Sequence, residues 1–190
     1  MLEREVKLLF RSADDARAAI VNAGATPFKL RRLQDDALFD SDDERLRKLG
    51  CTLRVRTERD TDGPEPQRVF LTLKGPVQPG TMKVRQEHET AVENGKALAH
   101  VFDALGLHVW FRYQKYREEF AATDLIMAVD ATPVGTFVEI EGTEEAILSM
   151  TRALGRTPAD FIVDSYYRLF LKRRDQFGLP GPHMLFAVAE

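Results

Sequence analysis

Alternating segments of this 190-residue chain gather their charges on one strand face, in groups of like sign, and this pattern restricts the fold more than any other feature. Side chains alternate across a β-strand, so residues i, i+2 and i+4 share a face. In 2–10, Glu3, Glu5 and Lys7 share one face while Val6, Leu8 and Phe10 share the other. Segment 51–59 sets Arg54 and Arg56 opposite Leu53 and Val55, and 67–75 sets Lys74 opposite Leu71 and Leu73. Segment 81–92 aligns Lys83, Arg85, Glu87 and Glu89. Segment 108–121 aligns Lys115, Arg117 and Glu119 against Tyr116 and Phe120. Asp130 opposes Met127 and Val129, and Glu139 and Glu141 oppose Val138 and Ile140.

A charged strand face ordinarily meets water. Like-signed neighbours two residues apart repel, however, unless an opposite ion lies between them. The pairs are also sorted: Glu3/Glu5 and Glu139/Glu141 are acidic, Arg54/Arg56 and Lys115/Arg117 basic. Solvation gives no reason for such sorting. A barrel that encloses a metal ion beside a polyanion does. The apolar faces then point outward, beneath amphipathic helices.

The rest of the chain supplies the parts. A helix is predicted over 13–23, capped by Ser12 and closed by Gly24. A second strand covers 27–34 and continues toward Phe39, and a short helical piece follows at 42–49. The turn-rich TDGPEP joins the strands 51–59 and 67–75. Helix 95–105 puts Leu98, Val101, Phe102 and Leu105 on one face. Three closely spaced strands, 108–121, 124–132 and 135–142, precede helices at 144–154 and 158–176. This gives an α+β chain of about eight strands, mostly in hairpin order. One domain over 1–177 and a tail at 178–190 are expected; packing on the barrel, mediating a dimer and disorder all stay open for the tail.

Composition narrows the function classes. A net charge of −3 gives no global field for nucleic acid or anionic lipid, so a bound anion needs a local cationic cluster. The single cysteine, Cys51, excludes an intrachain disulfide and a cysteine-based zinc knuckle. A charged N-terminus and the lack of a long apolar run point to a cytoplasmic protein without membrane contact. The four histidines are scattered with no HExxH spacing, Gly95-Lys96 lacks the rest of a P-loop, and no GxSxG is present. Lys172-Arg173-Arg174 reads as a solvated helix end, with a place over a mouth of the barrel as the alternative. The charged faces fit phosphoryl chemistry: carboxylates suit the hard cations Mg2+ and Mn2+, and Arg and Lys suit phosphate oxygens.

Glu3-Arg4-Glu5-Val6-Lys7 matches the ExExK signature of the CYTH-domain proteins, or triphosphate tunnel metalloenzymes. LRVR (53–56), LTLKGP (71–76), VRQEHE (84–89), YQKYR (113–117), VDATPVGTFVEIEG (129–142) and SYYRL (165–169) resemble the family's later motifs, in order. The resemblance implies a closed, eight-stranded antiparallel β-barrel, the triphosphate tunnel, with helices packed outside. It also implies Mg2+ or Mn2+ held by Glu3, Glu5, Glu139 and Glu141, with Asp130 and Glu87 or Glu89 assisting. Lys7, Arg54, Arg56, Lys74, Arg85, Lys115 and Arg117 would grip the phosphate chain, and Glu3, Glu5, Lys7, Glu139 and Glu141 would carry catalysis.

The family hosts several activities. Hydrolysis of tripolyphosphate, thiamine triphosphate or a nucleoside triphosphate is the first expectation. A class IV adenylate cyclase is the second; the N-terminus lacks the His-Phe pair associated with the bacterial cyclases, although SYYRL resembles their C-terminal segment. A polyphosphate- or nucleotide-binding module is the third, and the extra carboxylates speak against it. The expected partner is a small triphosphate, with no nucleic acid or membrane, in a monomer or homodimer.

Overall fold

The computed structural model describes residues 2–61 and 67–187. Most of the turn TDGPEP lies outside that range. Eight strands form β1 (Leu2–Phe10), β2 (Thr26–Asp40), β3 (Thr52–Asp60), β4 (Arg68–Lys74), β5 (Lys83–Ala91), β6 (His108–Ala122), β7 (Leu125–Thr132) and β8 (Gly135–Gly142). They close in the order β1-β5-β4-β3-β2-β6-β7-β8, with β8 returning to β1. Every neighbouring pair is antiparallel. Closure leaves no free edge and gives the sheet an inside and an outside, to which alternation assigns the two sets of side chains.

The outer apolar face is covered where helices lie on it. α1 (Ala13–Asn22) starts at Ser12, whose hydroxyl accepts from the Asp15 amide, and α4 (Glu144–Ala153) starts at Thr143 in the same way. Between them and the barrel lie Val6, Leu8, Met127, Val129, Val138 and Ile140, packed on Ile20, Ile147 and Met150. The longer β2 and β6 hold each other over most of their lengths, with register shifts between Pro27 and Lys29, between Lys29 and Arg32 and between Leu38 and Phe39. α2 (Arg45–Lys48) and α3 (Gly95–Ala104) follow β2 and β5.

The C-terminal part departs from expectation. Instead of one helix over 158–176 there is a single 3-10 turn, Pro158–Asp160, and a separate α5 (Tyr166–Arg173). Asp160 accepts from the Thr157 amide and closes the turn. Ile162 is extended and exchanges backbone hydrogen bonds with Lys7, where β5 does not reach. Ser165 then restarts the helix by accepting from the Arg168 amide. The rule that inward side chains are charged fails here too. Leu38, Phe111, Tyr113 and Phe137 share the parity of Asp36, Lys115 and Glu139, and they cluster with Tyr166, Leu169 and Phe170 of α5. One end of the barrel is thus closed by an apolar plug.

The tail packs on the barrel. Met184 is fully buried and bonds through its backbone to Arg112 and Gln114 of β6, beyond the point where β7 stops. The Phe186 ring lies 5.0 Å from Tyr116.

Candidate functional site

A charged interior lies between the plug and the open end. Glu3, Glu5, Lys7, Arg54, Arg56, Lys74, Lys115 and Asp130 are buried. Arg85, Glu87, Arg117 and Glu139 are partly exposed, and Glu89 and Glu141 reach the solvent. Strand pairing aligns Glu5 with Glu141, Lys7 with Glu139, and Arg117 with Asp130. The parity reading thus agrees with the burial of Glu3, Glu5, Lys7, Arg54, Arg56, Lys74, Lys115 and Asp130, while Glu89 and Glu141 are exposed.

The charges interlock. Glu3 accepts from Lys74 at 2.7 Å and from Arg85 at 3.3 Å. Glu5 lies 2.6 Å from Lys83 and 3.2 Å from Lys7, which also lies 3.1 Å from Glu139. Arg56 donates twice to Asp36, at 2.8 and 3.3 Å. Arg54 donates to Thr72 and Glu89, and Lys74 bonds Glu87 at 2.9 Å. Both oxygens of Asp130 are taken up: Lys115 donates at 2.8 Å, Arg117 at 2.6 and 2.5 Å, and the Tyr166 hydroxyl at 2.5 Å. Arg117 also bonds Glu139.

The surroundings set the protonation states. Burial disfavours the charge on Glu5, but Lys7 and Lys83 outweigh it and hold the carboxyl well below its ordinary range. Glu139 is held down in the same way by Lys7 and Arg117. Burial raises Glu3, and Glu5 adds to the rise. Glu141, at the open end, is pushed up to about 7 by burial of its carboxyl and by Glu3 and Glu5. Lys83 and Lys115 are each lowered to about 8, by burial and then by Lys7 and Arg117 respectively. Burial and Asp130 keep the Tyr166 phenol protonated, so it serves as a donor.

Glu3, Glu5 and Glu141 form an acidic corner whose mutual repulsion a cation would relieve. Among the described residues, no group of three His, Cys, Asp or Glu side chains forms a ready-made cage. Hard oxygen donors without a closed cage fit Mg2+ or Mn2+, which are commonly held by a few carboxylates together with substrate phosphate.

Several interior groups carried no expected role. On β2, Arg32, Gln34 and Asp36 are buried, as are Glu58 and Glu119 on the facing strands. Arg32 bonds Glu119 and lies 3.3 Å from Glu58, to which Gln34 also donates. Lys83 and Glu119 were on charged faces by parity, and Glu58 continues the Arg54/Arg56 parity. Tyr166 has no such signal, because its place depends on how α5 folds back. Arg32 Nε and Arg54 Nε are buried and make no aligned hydrogen bond, although they lie 3.3 Å from Glu58 and 3.4 Å from Asp36. They lie on the same inner wall as the basic residues expected to meet phosphate.

A candidate adenylate cyclase of Methanocaldococcus jannaschii is 26% identical over 182 residues, spanning 89% of this chain and 98% of its own length. The PH1819 protein of Pyrococcus horikoshii matches with a TM-score of 0.77 at 23% identity, over 90% of this chain and 99% of that chain. A candidate adenylyl cyclase of Hippeastrum, described as having a dominant triphosphatase activity, matches with a TM-score of 0.62 at 16% identity. That match covers 90% of this chain and 95% of the plant protein. The CYTH domain family model matches residues 1–155. Closed barrel, charged interior and family match agree, and the chain belongs to the CYTH domain family.

Proposed function

We propose that this protein is a divalent-metal-dependent hydrolase that cleaves a linear triphosphate inside the barrel. The observation that carries this reading is one barrel interior that holds both carboxylates suited to a cation (Glu3, Glu5 and, at the open end, Glu141) and cationic side chains suited to phosphate (Arg54, Arg56, Lys115, Arg117). Phosphoryl transfer depends mainly on positioning and electrostatic stabilisation, and this interior offers both.

Glu3, Glu5 and Glu141 would hold Mg2+ or Mn2+, with Glu139 and Glu87 beside them and Glu89 further out. A bound divalent cation would neutralise phosphate charge and act as a Lewis acid there. The chain's own side chains do the rest. Arg54 and Arg56 are oriented by Asp36, and Lys115 and Arg117 by Asp130, so their remaining donors are fixed before substrate arrives. The Nε groups of Arg32 and Arg54 are held only at ion-pair distance, 3.3 Å from Glu58 and 3.4 Å from Asp36, and suit phosphate oxygens. Lys7, Lys74 and Arg85 neutralise carboxylates now and are free to turn to phosphate when a cation takes those carboxylates. In this reading Asp130 positions cations and is not a metal ligand.

The relatives support phosphoryl chemistry without choosing between its outcomes. The Hippeastrum protein favours hydrolysis, because its dominant activity is triphosphatase despite its cyclase name. Cyclisation of ATP is the second reading, favoured by the name of the Methanocaldococcus jannaschii relative. Incubation with tripolyphosphate, thiamine triphosphate and ATP, with Mg2+ or Mn2+, separates them. Orthophosphate release is the expected result. Cyclic AMP with pyrophosphate would establish the cyclase instead, and binding without turnover would contradict both.

A further inference from the structure

Lys83 stands where the wall beside β1 passes from one segment to another. The β1/β5 ladder ends at the pair Glu5/Lys83, and beyond it Ile162 bonds to Lys7. β5 begins at this lysine, and the backbone on either side of it is fixed. Met82 is buried in the core between barrel and helices, and the Gln78 amide donates to the Val84 carbonyl at 2.8 Å. Lys83 itself is 6% exposed and shares the inward parity of Arg85. Its ammonium lies 2.6 Å from Glu5 Oε1, the same oxygen that Lys7 meets at 3.2 Å.

Neighbouring cations each serve two carboxylates. Lys7 is shared with Glu139, Lys74 bridges Glu3 and Glu87, and Arg117 bridges Asp130 and Glu139. Among the described residues, the ion pair of Lys83 is with Glu5 alone. Lys7 would hold the Glu5 carboxylate without it, so a second ammonium on one oxygen calls for another explanation. Glu5 is also a carboxylate to which a divalent cation is assigned above. Mg2+ sits about 2.0–2.1 Å from its ligand oxygens. A dication there and an ammonium on the same oxygen repel strongly, because little water screens charges in a buried place.

We infer that Lys83 is a positioning residue that competes with the divalent cation for Glu5, and so ties the cation's affinity to the presence of the anion. This rests on the proposed roles of Glu5 as a metal ligand and of the barrel as a triphosphate site. Without an anion, Lys83 stays on Glu5 and a free cation binds weakly. A phosphate chain in the barrel offers the ammonium other oxygens, and its flexible four-carbon stem lets it turn to them. Glu5 is then released to the cation. A nearby unit charge changes a carboxylate's affinity for a proton by about 10-fold or more, and a metal ion feels the same field.

Mn2+ binding, read from the paramagnetic resonance signal of the free ion, tests this without turnover. Lys83→Met keeps the stem and removes the charge, whereas Lys83→Arg keeps the charge. Lys83→Met is expected to bind Mn2+ about 10-fold or more tightly than the wild type, and Lys83→Arg to match the wild type. Calorimetry with diimidotriphosphate, a tripolyphosphate analogue that resists hydrolysis, tests the coupling. The preference for its preformed Mn2+ complex over the metal-free analogue should be the same in Lys83→Met and the wild type, because the anion has already drawn the lysine off Glu5. Unchanged or weaker Mn2+ binding in Lys83→Met, equal tightening in Lys83→Arg, or a preference that rises by the same factor overturns the inference. A lysine that merely supports the fold would loosen the site when removed. If Lys83→Met does not fold, Lys83→Gln is read in its place; if neither folds, the lysine is structural and the inference falls. Turnover of tripolyphosphate by the wild type with no tightening in Lys83→Met leaves the hydrolase and removes the inference. Tightening in a protein that turns over no triphosphate does the reverse. If neither Mn2+ nor the analogue binds any of these proteins, both fall.

Discussion

Asp36 and Asp130 are fully buried acids that each hold basic side chains on the tunnel wall: Arg54 and Arg56 in one case, Lys115 and Arg117 in the other. Removing one member of a buried pair leaves an uncompensated charge. Asp36→Asn is therefore expected to destabilise the protein by about 3–5 kcal/mol in denaturant unfolding. Tripolyphosphate should restore part of that loss, because it brings negative charge to the same two arginines; an unchanged deficit at saturating tripolyphosphate would place the anion elsewhere. Glu5→Gln is expected to reduce metal-dependent turnover by about 10²-fold or more, and near-normal turnover would remove Glu5 from the metal site. Arg56→Ala should mainly raise KM.

At this scale the sequence was most legible where only one face of a strand is polar. On β1 and β8 the alternation of charged and aliphatic residues exposes the inner set directly. On β2 it does not, because both parities are polar. Asp35 and Arg31 face outward: Asp35 bonds Arg112 and Gln114, and Arg31 stacks on Tyr116 at 4.0 Å. Their neighbours Asp36 and Arg32 face inward. Two polar faces on one strand cancel its periodicity.

Among the elements, β1, β7 and β8 carry their charge inward and their oil outward, and α1 and α4 cover the oil. Ile140 is fully buried there, so Ile140→Ala is expected to cost about 2–5 kcal/mol in chemical denaturation while leaving KM unchanged. A raised KM would mean that the outer layer sets the inner geometry more tightly than the strand separation implies. α5 has a different task. It plugs one end and sends the Tyr166 hydroxyl to Asp130, from a region beyond the family match at 1–155. Tyr166→Phe keeps the ring beneath Lys7 and Lys115 and removes only the donor. KM for the triphosphate should rise about 10-fold with a smaller change in kcat, the scale of one hydrogen bond to a charged group. An unaltered KM with a lowered Tm would make the tyrosine structural only. Helical periodicity pointed to one helix over 158–176; it could not indicate that the chain would break there and that Ile162 would first complete the wall beside Lys7.

For the whole molecule, the acidic corner makes stability and metal binding depend on pH together. Glu141 has a folded-state pKa of about 7 against an ordinary 4.5, so the folded protein keeps a proton that the unfolded chain releases. Without metal, this contribution favours folding at low pH and is lost as pH rises from about 4.5 to about 7. Adding a divalent cation should reverse the trend, because the ligand form of the carboxylate is the deprotonated one. Thermal melts across that range, with and without Mg2+, check both signs, and Glu141→Gln should flatten them.

A larger hollow, of about 800 Å³, lies outside the barrel beside α1 and α4, lined by residues such as Ala23, Thr123 and Ser149. It lacks a cationic wall, so size and chemistry select different places. Determining the structure with tripolyphosphate and Mg2+ bound decides between them. The phosphorus atoms should lie within the barrel, between Arg54/Arg56 and Lys115/Arg117, with the cation against Glu3, Glu5 and Glu141. Phosphate found only in the outer hollow or on the surface, with the interior ion pairs unbroken, would contradict the account.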